Sequence, residues 1–239
     1  MKEIIFGHKV CEKVFTNNEV ITISNEVDSL VKQSDKKDFI WKFYEPSGKI
    51  NRIEYFINYS SFFKELSTNK KIIDLIKEQI GYDVVLFKDK INFKYPGGEG
   101  FEPHQDITAG WGRYTDFQIS VAIPLISTNA QNGAIEFGSP VKKMINNYHE
   151  DIDIQLEYKM AETKVGDLLL FDSYVPHKSG SNESKLPRPI LFFTYTIKEQ
   201  GDFYEKYHYD KFQNVPPDIY KEKGRKYRSG NTNELRTFN

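Results

Sequence analysis

Val20, Ile23, Val27, Leu30 and Val31 recur at three- and four-residue spacing behind the polar run Thr16-Asn17-Asn18. That periodicity puts one apolar stripe on a helix over 17–33, with the polar run as its cap. A second stripe, Leu66, Ile72, Ile73, Leu75 and Ile76, predicts a helix over 62–80 that stops at Gly81, a common C-terminal signal. From Val84 the pattern changes. Short runs rich in β-branched and aromatic residues, 84–87, 91–95, 118–125, 134–137, 168–171 and 190–196, are separated by Gly, Pro and Asn turns and predict strands. Helices followed by strands predict a mainly β fold: a double-stranded β-helix, or jelly-roll, flanked by N-terminal α-helices. One domain over 1–239 is expected, with a helical buttress at 1–80, the jelly-roll core at 84–197 and a C-terminal tail at 198–239. There is no internal repeat and no low-complexity linker.

Composition narrows the classes without choosing among them. A chain of 239 residues with 38% hydrophobic content can bury one core. Lys and Arg total 33 against 34 Asp and Glu, a net charge of −1 that gives no general pull toward nucleic acid. Cys11 is the sole cysteine, which excludes an internal disulfide and fits a reducing compartment. No run approaches the length of a membrane span, and residues 1–10 hold no unbroken apolar stretch. A cytoplasmic protein with no membrane partner is expected, its oligomeric state open.

The chemistry sits in His104-Gln105-Asp106, followed by His177 and, eleven residues later, Arg188. In an extended strand residues two apart share a face, so His104 and Asp106 can grip one cation together, with His177 as third ligand. Two imidazoles and one carboxylate leave three positions of an octahedron open, the arrangement of non-heme Fe(II) oxygenases. An HxD tripeptide alone is commonly surface sequence; its neighbours decide. A Gly166-Asp167 turn feeds an apolar strand that should deliver His177, and a further apolar strand begins just after Arg188. An arginine beside a metal needs an anion between them, and its planar fork suits a carboxylate. 2-Oxoglutarate supplies that carboxylate at one end and a metal-chelating 2-oxo acid at the other, leaving one position for O2.

The segments Lys94-Tyr95-Pro96-Gly97-Gly98, Pro103-His104-Gln105-Asp106, Asn132-Gly133-Ala134-Ile135-Glu136-Phe137-Gly138-Ser139-Pro140 and His177-x-Ser179-x-x-Asn182-x-Ser184-x-x-x-Arg188 follow in that order. Together they resemble the phytanoyl-CoA dioxygenase family of Fe(II)/2-oxoglutarate oxygenases, over about 81–196 and weakly into the tail. The resemblance implies iron on His104, Asp106 and His177, and 2-oxoglutarate on Arg188 and Ser179, with Gln118 a further contact. It departs from the family at Pro140, where a histidine often follows the Gly-Ser pair, so the loop after it is expected to pack differently and shape another substrate pocket. Lys94, Trp111 and Arg113, close in sequence to HxD, are candidate substrate residues, as is Tyr95; each fits core packing or surface pairing equally well. The implied reaction hydroxylates an unactivated C–H bond of a small polar metabolite, an amino acid, an aminophosphonate or a natural-product intermediate, releasing succinate and CO2. An acyl-CoA hydroxylase and a metal-binding cupin-like module without turnover are the alternatives.

Other readings are weaker. No HExxH helix points to a zinc hydrolase. Thr194 stands where a nucleic-acid demethylase would place a second arginine, and Asp106 fills the ligand position that a halogenase vacates. Gly97-Gly98-Glu99-Gly100 lacks the Gly-Lys-Ser/Thr of a phosphate loop and reads as a turn. His149 among Glu150, Asp151 and Asp153 reads as a solvated loop, His8 and His208 as structural or exposed, and the basic stretch 221–228 as a solvated terminus.

Overall fold

The computed structural model describes residues 6–33, 39–141, 144–145, 156–228 and 235–237. His149, Glu150, Asp151 and Asp153 lie outside the described residues.

Helix α1 (Asn17–Lys32) forms where the periodicity places it. Thr16 caps it reciprocally: its hydroxyl accepts from the Glu19 N–H and the Glu19 carboxylate accepts from the Thr16 N–H. The second predicted helix is two, α2 (Ser61–Ser67) and α3 (Lys70–Ile80). Asn69 accounts for the break, because its side chain accepts from the Lys71 N–H at 2.9 Å and so starts a new helix instead of continuing the old one. Gly81 ends α3 at φ 75, as its lack of a Cβ allows.

Seven antiparallel strands make the larger sheet, in the order β1 (His8–Cys11), β9 (Leu168–Asp172), β6 (Gln118–Pro124), β11 (Arg188–Ile197), β4 (Val84–Lys94), β3 (Ile50–Glu54) and β2 (Trp41–Tyr44). Four make the smaller one: β5 (Phe101–His104), β10 (His177–Ser179), β7 (Ile135–Phe137) and β8 (Lys159–Ala161). Helix α4 (Tyr204–Asn214) follows the core, and β12 (Lys226–Arg228) pairs with β13 (Leu235–Thr237). The fold is the mainly β jelly-roll that the pattern predicts, with differences. Strands β1, β2 and β3 lie inside the stretch read as a helical buttress. The runs at 84–87 and 91–95 are one strand, β4, because the buried Lys88 and Asp89 and the half-buried Lys90 continue it instead of turning it. Asp89 accepts the backbone N–H groups of Tyr55, Phe56 and Ile57 and the Tyr204 hydroxyl, so its burial costs little.

The two faces of the larger sheet differ. Ile53, Ile91, Ile119, Val121, Leu170, Leu191, Phe193 and Tyr195 pack against Val20, Ile23 and Val27 of α1 and Ile72 and Ile76 of α3. On the other face Ala122, Leu169, Phe171, Ile190 and Phe192 pack against Ile135, Phe137, Ala161 and Val175. That apolar layer gives way to charge at β4 and β3. Lys88, Lys90, Asn92 and Lys94 alternate onto the inner face, opposite Thr194, Phe192, Ile190 and Arg188 of β11, and Arg52 and Glu54 of β3 stand across from Asn92 and Lys90.

Candidate active site

His104 ends β5 and His177 begins β10, and the two are direct partners across the ladder, their rings 4.2 Å apart. Gln105 stays extended at φ −114 and ψ 135, and Asp106 opens a short 3-10 turn. His104 and Asp106 therefore share a side while Gln105 points away. The Gln105 amide is fully buried, donates to the Tyr174 carbonyl and accepts from the Ile145 N–H, which fixes the chain on either side of it. One potential ligand atom from each of His104, Asp106 and His177 lies within 4.8 Å of the others.

The tautomers are set by the backbone. His104 Nδ1 donates to the Glu102 carbonyl at 2.7 Å and His177 Nδ1 to the Val175 carbonyl at 3.0 Å, so each Nε2 keeps its lone pair for a cation. Burial, then the neighbouring His104, pulls the His177 pKa down to about 4, which keeps it neutral. Burial alone would raise Asp106, but His177, Lys90, His104 and Lys88 around it hold its carboxyl below the ordinary range. The apolar run 168–171 does not itself carry His177. It ends at Asp172, whose carboxylate accepts from the N–H groups of Phe6, Gly7, Tyr174 and Val175. This buried clamp shapes the turn that moves the chain from the larger sheet to the smaller one, and sequence reasoning missed it.

Arg188 begins β11 on the larger sheet, so the histidine and the arginine stand on different sheets. Arg188 is 3% exposed, its Nε has no hydrogen-bond partner, and burial drops its pKa to about 10. Its direct cross-strand partner is Lys94, whose Nζ donates to Ser179 Oγ at 2.9 Å and to the Gly180 carbonyl. Burial and the adjacent Arg188 push Lys94 down to about 7. Two buried cations and a hydroxyl, with no carboxylate beside them among the described residues, form a seat for an anion. Lys94, expected to face substrate, thus belongs with Arg188 and Ser179. The turn beside it needs glycine: Gly133 sits at φ 71, and a Cβ there would lie 2.3 Å from the Gly180 carbonyl oxygen.

The other candidates separate. Gln118 stands opposite Thr196, eight residues along β11 from Arg188, roughly 26 Å at about 3.3 Å per residue. Its amide nitrogen is spent on the Thr115 carbonyl and hydroxyl, so the structure does not bring it to the anion seat. Trp111 is buried, edge-on to Phe87, with the Lys88 ammonium 5.4 Å from its ring. Arg113 is exposed, and Tyr95, just past the end of β4, stacks on Phe93 and carries the Lys49 ammonium. His208 is buried beside Asp89 at 3.5 Å, a structural histidine. Unforeseen in the sequence is the charged wall near the triad. Glu54 pairs with Arg52 at 3.2 Å, Lys88 at 3.7 Å and Lys211 of α4, while Lys90 stands beside them.

Comparison with known proteins agrees with this geometry. The profile of the phytanoyl-CoA dioxygenase (PhyH) family matches residues 6–190. A 2-aminoethylphosphonate dioxygenase from an uncultured bacterium is 33% identical over 79% of this chain and 76% of the relative. A methylphosphonate hydroxylase of Gimesia maris is 34% identical over 70% of this chain and 66% of the relative. EctD from S. alaskensis, solved with 2-oxoglutarate and 5-hydroxyectoine, shares the fold with a TM-score of 0.69 at 20% identity, over 81% of this chain and 73% of EctD. The match across most of the chain, with the His-Asp-His cluster in place, makes it a member of the phytanoyl-CoA dioxygenase family of Fe(II)- and 2-oxoglutarate-dependent dioxygenases.

Proposed function

We propose that the chain hydroxylates a small phosphonate, an aminophosphonate in the first instance. His104, Asp106 and His177 hold the iron, and Arg188, Lys94 and Ser179 hold the distal carboxylate of 2-oxoglutarate. When bound, the iron and co-substrate supply O2 activation coupled to oxidative decarboxylation to succinate and CO2. The chain's own part is to bind, orient and shield. The Glu102 and Val175 carbonyls keep both imidazoles in the ligating tautomer. Phe171 and Phe137, with ring centroids 5.1 and 5.8 Å from that of His177, cover one side of it and exclude water.

The observation that carries the substrate class is the surplus of cations on the inner face of the larger sheet. Lys88, Lys94 and Arg188 are buried and Lys90, Arg52 and Lys211 half-buried, and among the described residues the acids beside them are Glu54 and Asp106, an environment that favours a doubly charged ligand. Two relatives named for phosphonates support the same class. The test is succinate release by purified, iron-loaded protein supplied with 2-aminoethylphosphonate, methylphosphonate, amino acids or acyl-CoA thioesters. Stimulation by a phosphonate is expected; stimulation by acyl-CoA alone would refute the proposal.

Lys94 makes the co-substrate half of the proposal testable through pH. In the ligand-free protein its pKa is about 7, and a carboxylate arriving beside it and Arg188 raises that value. Binding then takes up a proton, so 2-oxoglutarate affinity is highest below about 7 and weakens as pH rises through the neutral range. Calorimetry in buffers of different ionisation enthalpy should detect that uptake, and Lys94→Met should abolish it. A pH-independent affinity with no proton uptake would remove Lys94 from the seat.

A further inference from the structure

We infer that Lys90 is the specificity-determining residue that holds the phosphonate group of the substrate beside the iron ligands, an inference that rests on the phosphonate reading above. The placement comes from the sheet. Lys90 lies mid-strand on β4, on the inner face between Lys88 and Asn92, directly across from Glu54 on β3 and Phe192 on β11. Its ammonium lies 4.7 Å from the centre of the Phe192 ring, on the boundary between the apolar layer and the charged wall. Phe192 in turn packs in one cluster with Phe137 and Phe171, whose rings lie against His177, so Lys90 stands one aromatic layer from the iron ligands.

Every other cation of this wall has an assignment. Lys88, Arg52 and Lys211 converge on Glu54, whose charge is shared among these three cations. Lys94 is bonded to Ser179 and Gly180 and shares its corner with Arg188. Asp106, the remaining acid near Lys90, is committed to the metal. Among the described residues Lys90 makes no hydrogen bond and no ion pair, and burial together with Lys88 lowers its pKa to about 8. Unlike Arg188, it is only half-buried. A partly buried cation with an aromatic ring but no acid or hydrogen-bond acceptor is costly, and a ligand anion removes that cost. An ammonium offers three donors, which match the three oxygens of a phosphonate, and the adjacent Lys88 adds field of the same sign. Phe192 beside it would meet the short carbon chain of such a ligand.

The experiment uses full-length protein loaded with Fe(II) and 2-oxoglutarate without O2, titrated calorimetrically with 2-aminoethylphosphonate and with its carboxylate counterpart β-alanine. Lys90→Met should weaken 2-aminoethylphosphonate binding by about thirty-fold or more, as loss of one partner of a desolvated charge pair does. Lys90→Arg should restore it to within about three-fold, and 2-oxoglutarate affinity should hold in both variants, which also reports that the site is folded. In turnover the phosphonate KM should rise while the 2-oxoglutarate KM stays. Undiminished phosphonate binding by Lys90→Met would overturn the inference and leave the phosphonate reading standing. Equal losses for phosphonate and 2-oxoglutarate would also overturn it, by moving Lys90 to the co-substrate seat. Wild-type protein that binds no phosphonate, or binds β-alanine as tightly, would overturn both.

Discussion

Asp106→Ala should lose Fe(II) affinity by more than about 100-fold, the upper end of what removing a mere outer-shell partner of a ligand costs. Of the three cluster residues Asp106 alone carries negative charge. Without it, His104 and His177 offer two neutral nitrogens to a dication in a field set by Lys88 and Lys90. His104→Ala and His177→Ala should also abolish iron-dependent turnover, since each leaves two protein ligands of three. The fold should survive best in His104→Ala, because that ring is the most exposed of the three, whereas His177 packs against Phe137 and Phe171. Iron content after anaerobic loading, together with thermal melting of the metal-free variants, decides the matter. Full iron affinity and activity in any of the three would refute the triad.

What could be read from the sequence and what could not divides along one physical line. His104, Asp106, His177 and Arg188 were legible because each sits in a local motif whose neighbours specify it: a histidine and a carboxylate two apart, and an arginine at the head of an apolar strand. Helix α1 was legible because one face meets water and the other meets the sheet. Strand β3 and the middle of β4 were not. Arg52, Glu54, Lys88 and Lys90 turn their charges toward the interior, so the apolar-in, polar-out alternation that marks a half-buried strand is missing from both segments. The same absence hid Lys90. Lys94 was placed with the substrate because sequence shows that it precedes the HxD motif by ten residues. It cannot show that strand register sets Lys94 opposite Arg188. Helix α4 went unseen because Tyr204, Tyr207 and His208 form its buried side without an aliphatic stripe.

The second large effect concerns Arg188. A guanidinium whose pKa burial has driven from 12.5 to about 10, with no acid beside it, weakens the ligand-free fold by roughly 3 kcal/mol. 2-Oxoglutarate turns that cost into a favourable ion pair. Arg188→Met keeps most of the side chain's volume and removes the charge, so two opposite consequences are expected. The ligand-free variant should melt no lower than the wild type, and higher if the methionine packs well. Its affinity for 2-oxoglutarate should fall by about 2–5 kcal/mol, visible as a raised KM for the co-substrate and as loss of the thermal shift that 2-oxoglutarate gives the iron-loaded wild type. Iron affinity should be unchanged, because Arg188 lies on the larger sheet and His104 and His177 on the smaller. A variant that 2-oxoglutarate still stabilises as it does the wild type would place the co-substrate's carboxylate elsewhere. It would leave Arg188 and Lys94 as an unpaired buried pair in need of a different anion.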